Sequence, residues 1–431
     1  MSFLTSHVSH LTSYLMPHVE LITMPPNYKL SFLSCLGIVI GSVIGSGIFV
    51  VPSIMINTMP SPAMIFLVWI VSGIVSIIGG LVIAGMGLTF PEANDLLDYF
   101  KVLFPKWVPF TFNMISNWII NTCGTVAIAF MFAEYLGYFI HLDKIGIKIA
   151  AIILVFGLTL FNTWNMKASD RFQIIFTATK VAAVLILIAL LLIPGKGSME
   201  NFSSSADFEN WSTLKIIGAC IAACTGALNA FDGWYMVSYM TREVKGGVKT
   251  VSKAIVTGLL ICMALYLLAT FSIHYNLTIE EVGSSKLVAV TALEKVIGTW
   301  GSVLITIFVL ISTSSGVNSN LIASSRLLAN SSSQKMFFSF FSKINTKGIP
   351  SRASWLIFIY NTILIATGSF ELFLDTTLFF VWLFVSTLTA GFLYVFIRKN
   401  ISIPGIPKIP MILACIILIL FGLVYLTNFF V

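Results

Sequence analysis

A row of long apolar stretches constrains the fold of this chain more than any other feature of its sequence. A helix needs about 20 mostly apolar residues to cross a bilayer, and eleven such stretches can be placed along the chain. They are numbered here as spans 1 to 11 and cover residues 31–56, 62–88, 108–138, 146–163, 172–193, 214–240, 251–273, 299–327, 353–369, 372–397 and 406–430. The sequence is 58% hydrophobic and only 10% charged, which is typical of an all-α polytopic membrane protein and excludes a water-soluble globular domain.

The basic residues predict the orientation of the spans, because Lys and Arg concentrate in cytoplasmic loops. With the N-terminus in the cytoplasm, 17 of the 24 Lys and Arg residues fall on the inner side and 6 on the outer side. Lys180 is left within span 5. The net charge of +7 is therefore a topology signal, and it gives no reason to expect a nucleic-acid partner. The partner that the sequence does imply is the lipid bilayer.

Little of the sequence lies outside the spans. Residues 1–30 are polar and lack the apolar run of a cleaved signal, so we predict a cytosolic N-terminal leader. All 6 cysteines fall within spans, where no disulfide forms. Buried thiols in such positions are more typical of packing than of metal ligands, and no metal site is expected.

Span 1 carries an unusual number of glycines for a membrane helix. Gly37, Gly41 and Gly45 have the four-residue spacing that lets two helices pack closely. Gly47 does not fit that spacing, and a glycine inside a helix costs roughly 1 kcal/mol relative to alanine. We therefore predict that the helix is interrupted at Gly45, Ser46 and Gly47. Within a bilayer, backbone groups freed in this way must line a cavity or meet protein partners.

Span 6 has a second irregularity, in the segment Asn229 to Trp234. An acid at membrane depth costs at least about 2.5 kcal/mol, and Asp232 is followed directly by Gly233. A continuous helix with Asp232 paired to a buried lysine is the alternative. Interruptions at corresponding positions of two halves are typical of a transporter binding site. This predicts a leader (1–30), a first five-span repeat (31–193), an outer loop (194–213), a second five-span repeat (214–397) and a last segment with span 11 (398–431).

The two interruptions together have a specific chemistry. The half-helix that begins after Gly45 offers unpaired N–H groups and the positive end of its dipole, which suit a carboxylate. The half-helices that end in spans 1 and 6 offer free carbonyl groups, which suit an ammonium group. One site between the two spans could therefore hold the zwitterion of an amino acid.

Three segments of the sequence resemble a known family. Gly41 to Pro52, Ala230 to Trp234 with the following Thr241 to Lys245, and Ser312 to Asn318 leading to Arg326 are similar to signatures of spans 1, 6 and 8 in the L-type amino acid transporter group. This group belongs to the amino acid, polyamine and organocation superfamily. The resemblance covers residues 30 to 400, and it implies a LeuT-type five-plus-five inverted repeat with broken spans 1 and 6. Members usually carry a twelfth span, so a natural loss or a shortened chain stays open here.

The resemblance also implies roles for individual residues. The substrate carboxylate would be held by the amides of Ser46, Gly47 and Ile48, and the amino group by carbonyl oxygens of spans 1 and 6. The carbonyl oxygens concerned belong to Val43, Asn229 and Asp232. The complete candidate set is Val43, Gly45, Ser46, Gly47, Ile48, Asn229, Ala230, Phe231, Asp232, Gly233 and Trp234.

Lys180 in span 5 matches a position where sodium-independent relatives place an ammonium group instead of a sodium ion, in contact with span 1. The alternative is a lysine that extends its charge to the bilayer interface. About nine apolar residues separate Lys180 from the outer end of its span, and this favours the buried role.

Several departures from the family pattern limit what the resemblance implies about the substrate. Asn229 stands where relatives have an aromatic gate, and Ala93-Asn94, Asn121-Thr122 and Gly246-Gly247 replace other usual pairs. Mammalian members are linked to a heavy subunit by a cysteine in the loop after span 3. That loop, from His141 to Ile145, has no cysteine, so no disulfide-linked heavy subunit is expected.

The function that follows is sodium-independent transport of amino acids across a cell membrane, by exchange, with one bundle of spans rocking against a scaffold. A proton-coupled symporter that uses Lys180 or Glu134 as proton acceptor is the nearest alternative. A sensor that binds an amino acid without transporting it is an alternative of another class, but the usual long cytosolic tail is missing. No nucleophile or metal-ligand spacing is found, so neither an enzyme nor a cofactor is expected.

Overall fold

The computed structural model describes residues 30–45, 47–90, 93, 96–164, 166–193, 197–202, 211–235, 237, 244–345, 348–403 and 407–427. For residues 166–174, 177 and 214 only the backbone is described. The described part consists of helices and short connections, together with an isolated parallel β bridge between Leu30 and Val244. The all-helical class predicted from composition is confirmed.

Seven helices in the described residues are long and apolar enough to cross a membrane. In chain order they are spans 2, 3, 4, 7, 8, 10 and 11, formed by Pro62–Thr89, Trp107–Ile140, Lys144–Trp164, Gly247–Asn276, Thr299–Ser333, Phe370–Arg398 and Lys408–Thr427. Other helices form the remaining spans, with Phe32–Val43 and Val51–Thr58 in span 1, Met166–Leu191 in span 5, Thr213–Ala230 in span 6 and Ser351–Thr367 in span 9. The helix Leu96–Leu103 precedes span 3, and Ile279–Ser284 and Val288–Ile297 lie between spans 7 and 8.

Serine hydroxyls begin several of these helices. The side chains of Ser31, Ser61, Ser212 and Ser369 each accept a hydrogen bond from the backbone N–H three residues later. A serine at this position satisfies one of the amides that have no partner in the first turn of a helix. The starts of spans 1, 2, 6 and 10 are therefore set by local sequence.

The packing of the spans places spans 1 and 6 at the centre of the molecule. Span 7 packs along both the first helix of span 1 and span 2, and span 6 packs on the second helix of span 1 and on span 2. Span 5 contacts the first helix of span 1 as well as spans 7 and 8. The interrupted spans are thus enclosed by continuous ones. In a bilayer, backbone groups without a helical partner are tolerated only where protein or a water-filled cavity surrounds them.

The buried apolar side chains form two clusters. The larger cluster includes most of the buried apolar residues of spans 1, 2, 5, 6, 7 and 11, together with parts of spans 3, 8 and 10. The smaller cluster is built from spans 3, 4, 8 and 9 with Phe373 of span 10. Spans 3, 4, 8 and 9 therefore have a core of their own, largely separate from the core around the interrupted spans.

Candidate functional site

The helix of span 1 is interrupted where the glycines predicted it. The first α-helix ends at Val43, and a short 3₁₀ turn from Gly47 to Phe49 follows. The chain resumes an α-helix only at Val51. Ser46, one of the predicted site residues, lies outside the described residues.

Span 6 is interrupted as well. Its α-helix ends at Ala230, and the turn that follows contains Gly233 with a φ of +94°. Residues other than glycine rarely adopt this backbone conformation. The glycine after Asp232 is therefore required by the backbone itself, and the predicted end of the helix near Asp232 is confirmed.

The two interruptions interlock. A Cβ added at Gly47 would lie 3.3 Å from the Cβ of Ala230 in span 6, and one added at Gly233 would lie 3.0 Å from the carbonyl oxygen of Ser42 in span 1. Each span thus has a glycine against which the backbone of the other span packs. The sequence predicted one site between the two broken spans, and in the structure the two breaks are in direct contact.

Backbone donors are available at the start of the second helix of span 1. Among the residues that the structure describes, the amides of Gly47 and Ile48 have no hydrogen-bond acceptor, whereas the amide of Val50 donates to the Gly47 carbonyl at 3.0 Å. Gly45 and Gly47 are partly exposed, while Ile48 is fully buried. Free amides at a helix start carry partial positive charge, so this place can receive an anionic group.

A tyrosine that the sequence analysis missed connects the two helix ends. The hydroxyl oxygen of Tyr266 in span 7 lies 2.8 Å from the carbonyl oxygen of Val43 and 2.8 Å from that of Ala230. Because a hydroxyl has one proton, it can donate fully to only one of the two carbonyls at a time. Similarly, Tyr135 in span 3 donates to the Phe49 carbonyl at 3.3 Å. A buried tyrosine in an apolar span was the available signal, since its hydroxyl needs a partner.

The predicted acceptors for an ammonium group are already partly engaged. The carbonyl of Val43 accepts from Tyr266, and the carbonyl of Asn229 accepts from the amide of Asp232 at 3.2 Å and from that of Phe231. A carbonyl oxygen has two lone pairs, so Val43 can accept one further hydrogen bond, whereas both lone pairs of Asn229 are already engaged. Val43 is therefore ready to accept from a ligand, and Asn229 would have to exchange one of its present donors for the ligand.

Comparison with known proteins identifies the family. The model of the amino acid permease family matches residues 30–431 of the chain. The chain belongs to the amino acid permease family. It is similar to the human cystine/glutamate transporter, at 27% identity over 376 residues that cover 85% of this chain and 73% of that protein. It is also similar to the mouse large neutral amino acids transporter small subunit 2, at 28% identity over 386 residues (88% and 72% of the two chains). The human b(0,+)-type amino acid transporter 1 matches at 25% identity over 394 residues (89% and 79%).

These relatives confirm the resemblance to the L-type group that the motifs of spans 1, 6 and 8 indicated. They also agree with the apolar helices in assigning the permease to the membrane. The chain accordingly belongs to a family of transporters.

The aromatic side chains next to the break in span 6 pack on span 2 of the permease. The ring of Phe231 lies 5.8 Å from Trp69 and 5.1 Å from Tyr266, and both Phe231 and Trp69 are fully buried. Trp234 packs so closely on Gly79 that a Cβ added there would lie 2.9 Å from its ring. These two side chains support the break by fixing span 6 to span 2.

Asp232 lines a cavity between four spans. The wall of this cavity also includes Ser76 of span 2, Tyr235, Trp382 of span 10 and Leu418 of span 11. Asp232 is partly exposed, as is Asn229, whereas Ala230 and Gly233 are buried. Asp232 thus lies both at the broken end of the helix and in the wall of the neighbouring cavity.

Lys180 is buried in span 5, with 5% of its surface exposed. No hydrogen bond or ion pair joins it to another residue in the part of the chain that the structure describes. Lysine is almost never buried without a partner. Its helix contacts the first helix of span 1 and span 8. The site also has no group of three His, Cys, Asp or Glu side chains, within the described residues, that could hold a metal ion.

Proposed function

We propose that this permease is a secondary transporter that moves amino acids without sodium and works by exchange. The observation that carries the proposal is the interlocking of the two breaks, in which Gly47 packs on Ala230 and Gly233 packs on Ser42. Because of this contact, the amides at the start of the second helix of span 1 lie near the carbonyl groups at the ends of the first helix of span 1 and of the helix of span 6. A zwitterion matches such a site because it carries one charge of each sign.

In the proposed site, the substrate carboxylate accepts from the amides of Ser46, Gly47 and Ile48. The substrate ammonium donates to the carbonyls of Val43, Asn229 and Asp232. Backbone groups recognise what all amino acids share, so the remaining side chains near the break select among them. The relatives are named for large neutral amino acids and for cystine and glutamate, and we extend only the common amino acid class to this permease.

Lys180 is proposed to supply the positive charge that sodium supplies in other carriers. Its burial and the contact between its helix and span 1 support this role. A fixed ammonium group cannot dissociate between cycles, so transport would not be driven by a sodium gradient. Replacing Lys180 by Met removes the charge at similar length, and we expect exchange to fall at least tenfold. The same change at the exposed Lys144 is the matched control, and unchanged exchange in the Lys180 variant would refute the role.

The movement is proposed to be a rocking of spans 1, 2, 6 and 7 against a scaffold. The separate core of spans 3, 4, 8 and 9 supports this division. The N-terminus is placed in the cytoplasm and the protein in the plasma membrane, and the division into residues 31–193 and 214–397 is retained. No disulfide-linked heavy subunit is proposed, since the connection between Ile140 and Lys144 has no cysteine.

Reconstitution into liposomes tests the proposal. Vesicles are loaded with an unlabelled amino acid mixture, choline replaces sodium on both sides, and the pH is equal across the membrane. We expect labelled amino acid to enter loaded vesicles and not empty ones.

Two other results would overturn the exchange mechanism. Uptake into empty vesicles that needs an acidic exterior would establish proton symport. Binding of amino acid to the purified protein without any uptake would establish a sensor.

A further inference from the structure

The loop between spans 8 and 9, residues 334–350, has a composition unlike the other connections. It contains Lys335, Lys343 and Lys347, and it is flanked by Arg326 and Arg352. No Asp or Glu occurs between Glu294 and Glu371. The positive charge of this 8–9 loop is therefore not balanced by any acid in the two spans that it joins.

One aromatic residue of the 8–9 loop attaches it to span 3. The ring of Phe337 lies 5.3 Å from that of Trp118 in span 3, and it also lies 5.7 Å from that of Phe341 within the loop. Trp118 in turn contacts Tyr360 of span 9 at 5.2 Å. Phe337 thus holds the loop against a tryptophan that joins spans 3 and 9.

Three other apolar residues of the 8–9 loop point away from the protein. Phe338 is 72% exposed, Phe340 58% and Ile344 54%. The guanidinium of Arg352 lies 4.1 Å over the ring of Phe340 and donates to its carbonyl at 3.2 Å, which fixes this ring beside a positive charge. Lys335 and Lys343 are also exposed. The loop therefore exposes bulky apolar groups and basic groups within the same short segment.

A position at the membrane surface explains both properties. The loop joins two membrane spans, so it lies at the level of the lipid headgroups, where aromatic residues insert at the boundary of the acyl chains. The concentration of basic residues in cytoplasmic loops is enough to explain the lysines, but it does not explain exposed phenylalanines beyond the end of a span. Basic residues near the surface attract anionic headgroups.

We propose that the 8–9 loop is a binding surface for anionic phospholipid. Phe338, Phe340 and Ile344 enter the interface, and Lys335, Lys343 and Arg352 contact the headgroup phosphates and carboxylates. On the orientation given by the basic residues, the lipid belongs to the cytoplasmic leaflet. The proposal concerns the surface of the scaffold spans and does not depend on the transport cycle.

Native mass spectrometry of the full chain in detergent, with equal amounts of phosphatidylserine and phosphatidylcholine, tests the proposal. We expect the protein to retain phosphatidylserine in preference to phosphatidylcholine. The double variant Lys335→Gln/Lys343→Gln should lose most of this preference, since each basic residue contributes at most about fivefold. Phe338→Ser/Phe340→Ser should reduce retention of both lipids while keeping their ratio closer to that of the wild type.

The double variant Lys144→Gln/Lys286→Gln is the matched control, because both lysines are exposed and lie on the opposite side in the orientation given by the basic residues. An equal loss of preference in this control would overturn the proposal, as would equal retention of the two lipids by the wild type. Displacement of the retained lipid by millimolar inorganic phosphate would also overturn it, since the surface would then bind free anions.

Discussion

The breaks in spans 1 and 6 are both made by glycine, but for different physical reasons. Gly233 in span 6 has a φ of +94°, and its neighbour across the interface is a backbone oxygen, that of Ser42. Gly47 in span 1 has no such φ, and its nearest neighbour is the Cβ of Ala230. One glycine is needed for its backbone conformation, and the other is needed for space.

Because of this difference, the two halves of the proposed site should tolerate substitution differently. A side chain at Gly47 meets another side chain, so a smaller partner can make room for it. A side chain at Gly233 is strained by its own backbone and meets a main-chain atom that no substitution removes. The end of span 6 is therefore the more rigid part of the site.

The largest effect is expected when Gly47 becomes Leu. The added side chain would occupy the place where the breaks interlock and where the free amides lie, so we expect exchange to fall at least 100-fold in the liposome assay. Gly37→Leu is the control on the same span, because a Cβ at Gly37 meets nothing within 4 Å. Exchange at the wild-type rate in the Gly47 variant would refute the assignment of this break to the site.

A loss of about 100-fold is expected for Gly233→Ala. Backbone strain of this kind costs on the order of 1–3 kcal/mol, and the contact with the Ser42 oxygen adds to it. The second change Ser42→Gly should give no rescue, because the oxygen stays. Gly218→Ala serves as the control within span 6, since its surroundings are open. If the single variant kept half of the wild-type exchange activity, Gly233 would not be needed for its backbone conformation, and the two glycines would not differ in the way described.

A smaller loss, about tenfold, is expected for Gly47→Ala. The new Cβ would be only a few tenths of an ångström too close to Ala230. Adding Ala230→Gly removes that neighbour, so the double variant should recover most of the exchange rate. Additive losses in the double variant, measured side by side with both single variants, would show that the contact is not the cause.

The smallest effect is expected for Tyr266→Phe, with a loss of up to about tenfold. The change removes the hydroxyl that lies between the carbonyls of Val43 and Ala230, and a lost buried hydrogen bond costs about 1 kcal/mol. Because one carbonyl from each break is affected, substrate affinity should fall more than the maximal rate. A change in the maximal rate alone would indicate that Tyr266 serves movement and not binding.

Local sequence predicted the two helix breaks on which the proposed site is built. Gly47 could be assigned to a break because it does not fit the four-residue spacing of the glycines before it. The Asp232-Gly233 pair indicated the end of a helix because an acid and a flexible residue are both costly inside a membrane span. These inferences needed only the properties of single residues.

The remaining features depend on how the spans pack. Tyr266 is far from both breaks in the sequence, and only the position of span 7 beside span 1 brings its hydroxyl to Val43 and Ala230. In the same way, the sequence placed Phe231 and Trp234 with the site because they are neighbours of Asp232. Their side chains pack on span 2 in the structure, since successive residues point in different directions. No property of a single residue could have predicted these contacts.

Competition by substrate analogues tests whether the interlocked breaks hold both ends of an amino acid. The amino acid with the highest exchange rate is labelled, and three unlabelled competitors are compared: the same amino acid, its carboxamide and its analogue without the amino group. We expect that only the complete amino acid competes strongly. Equal competition by the carboxamide or by the deaminated analogue would show that the breaks do not bind both ends of the substrate.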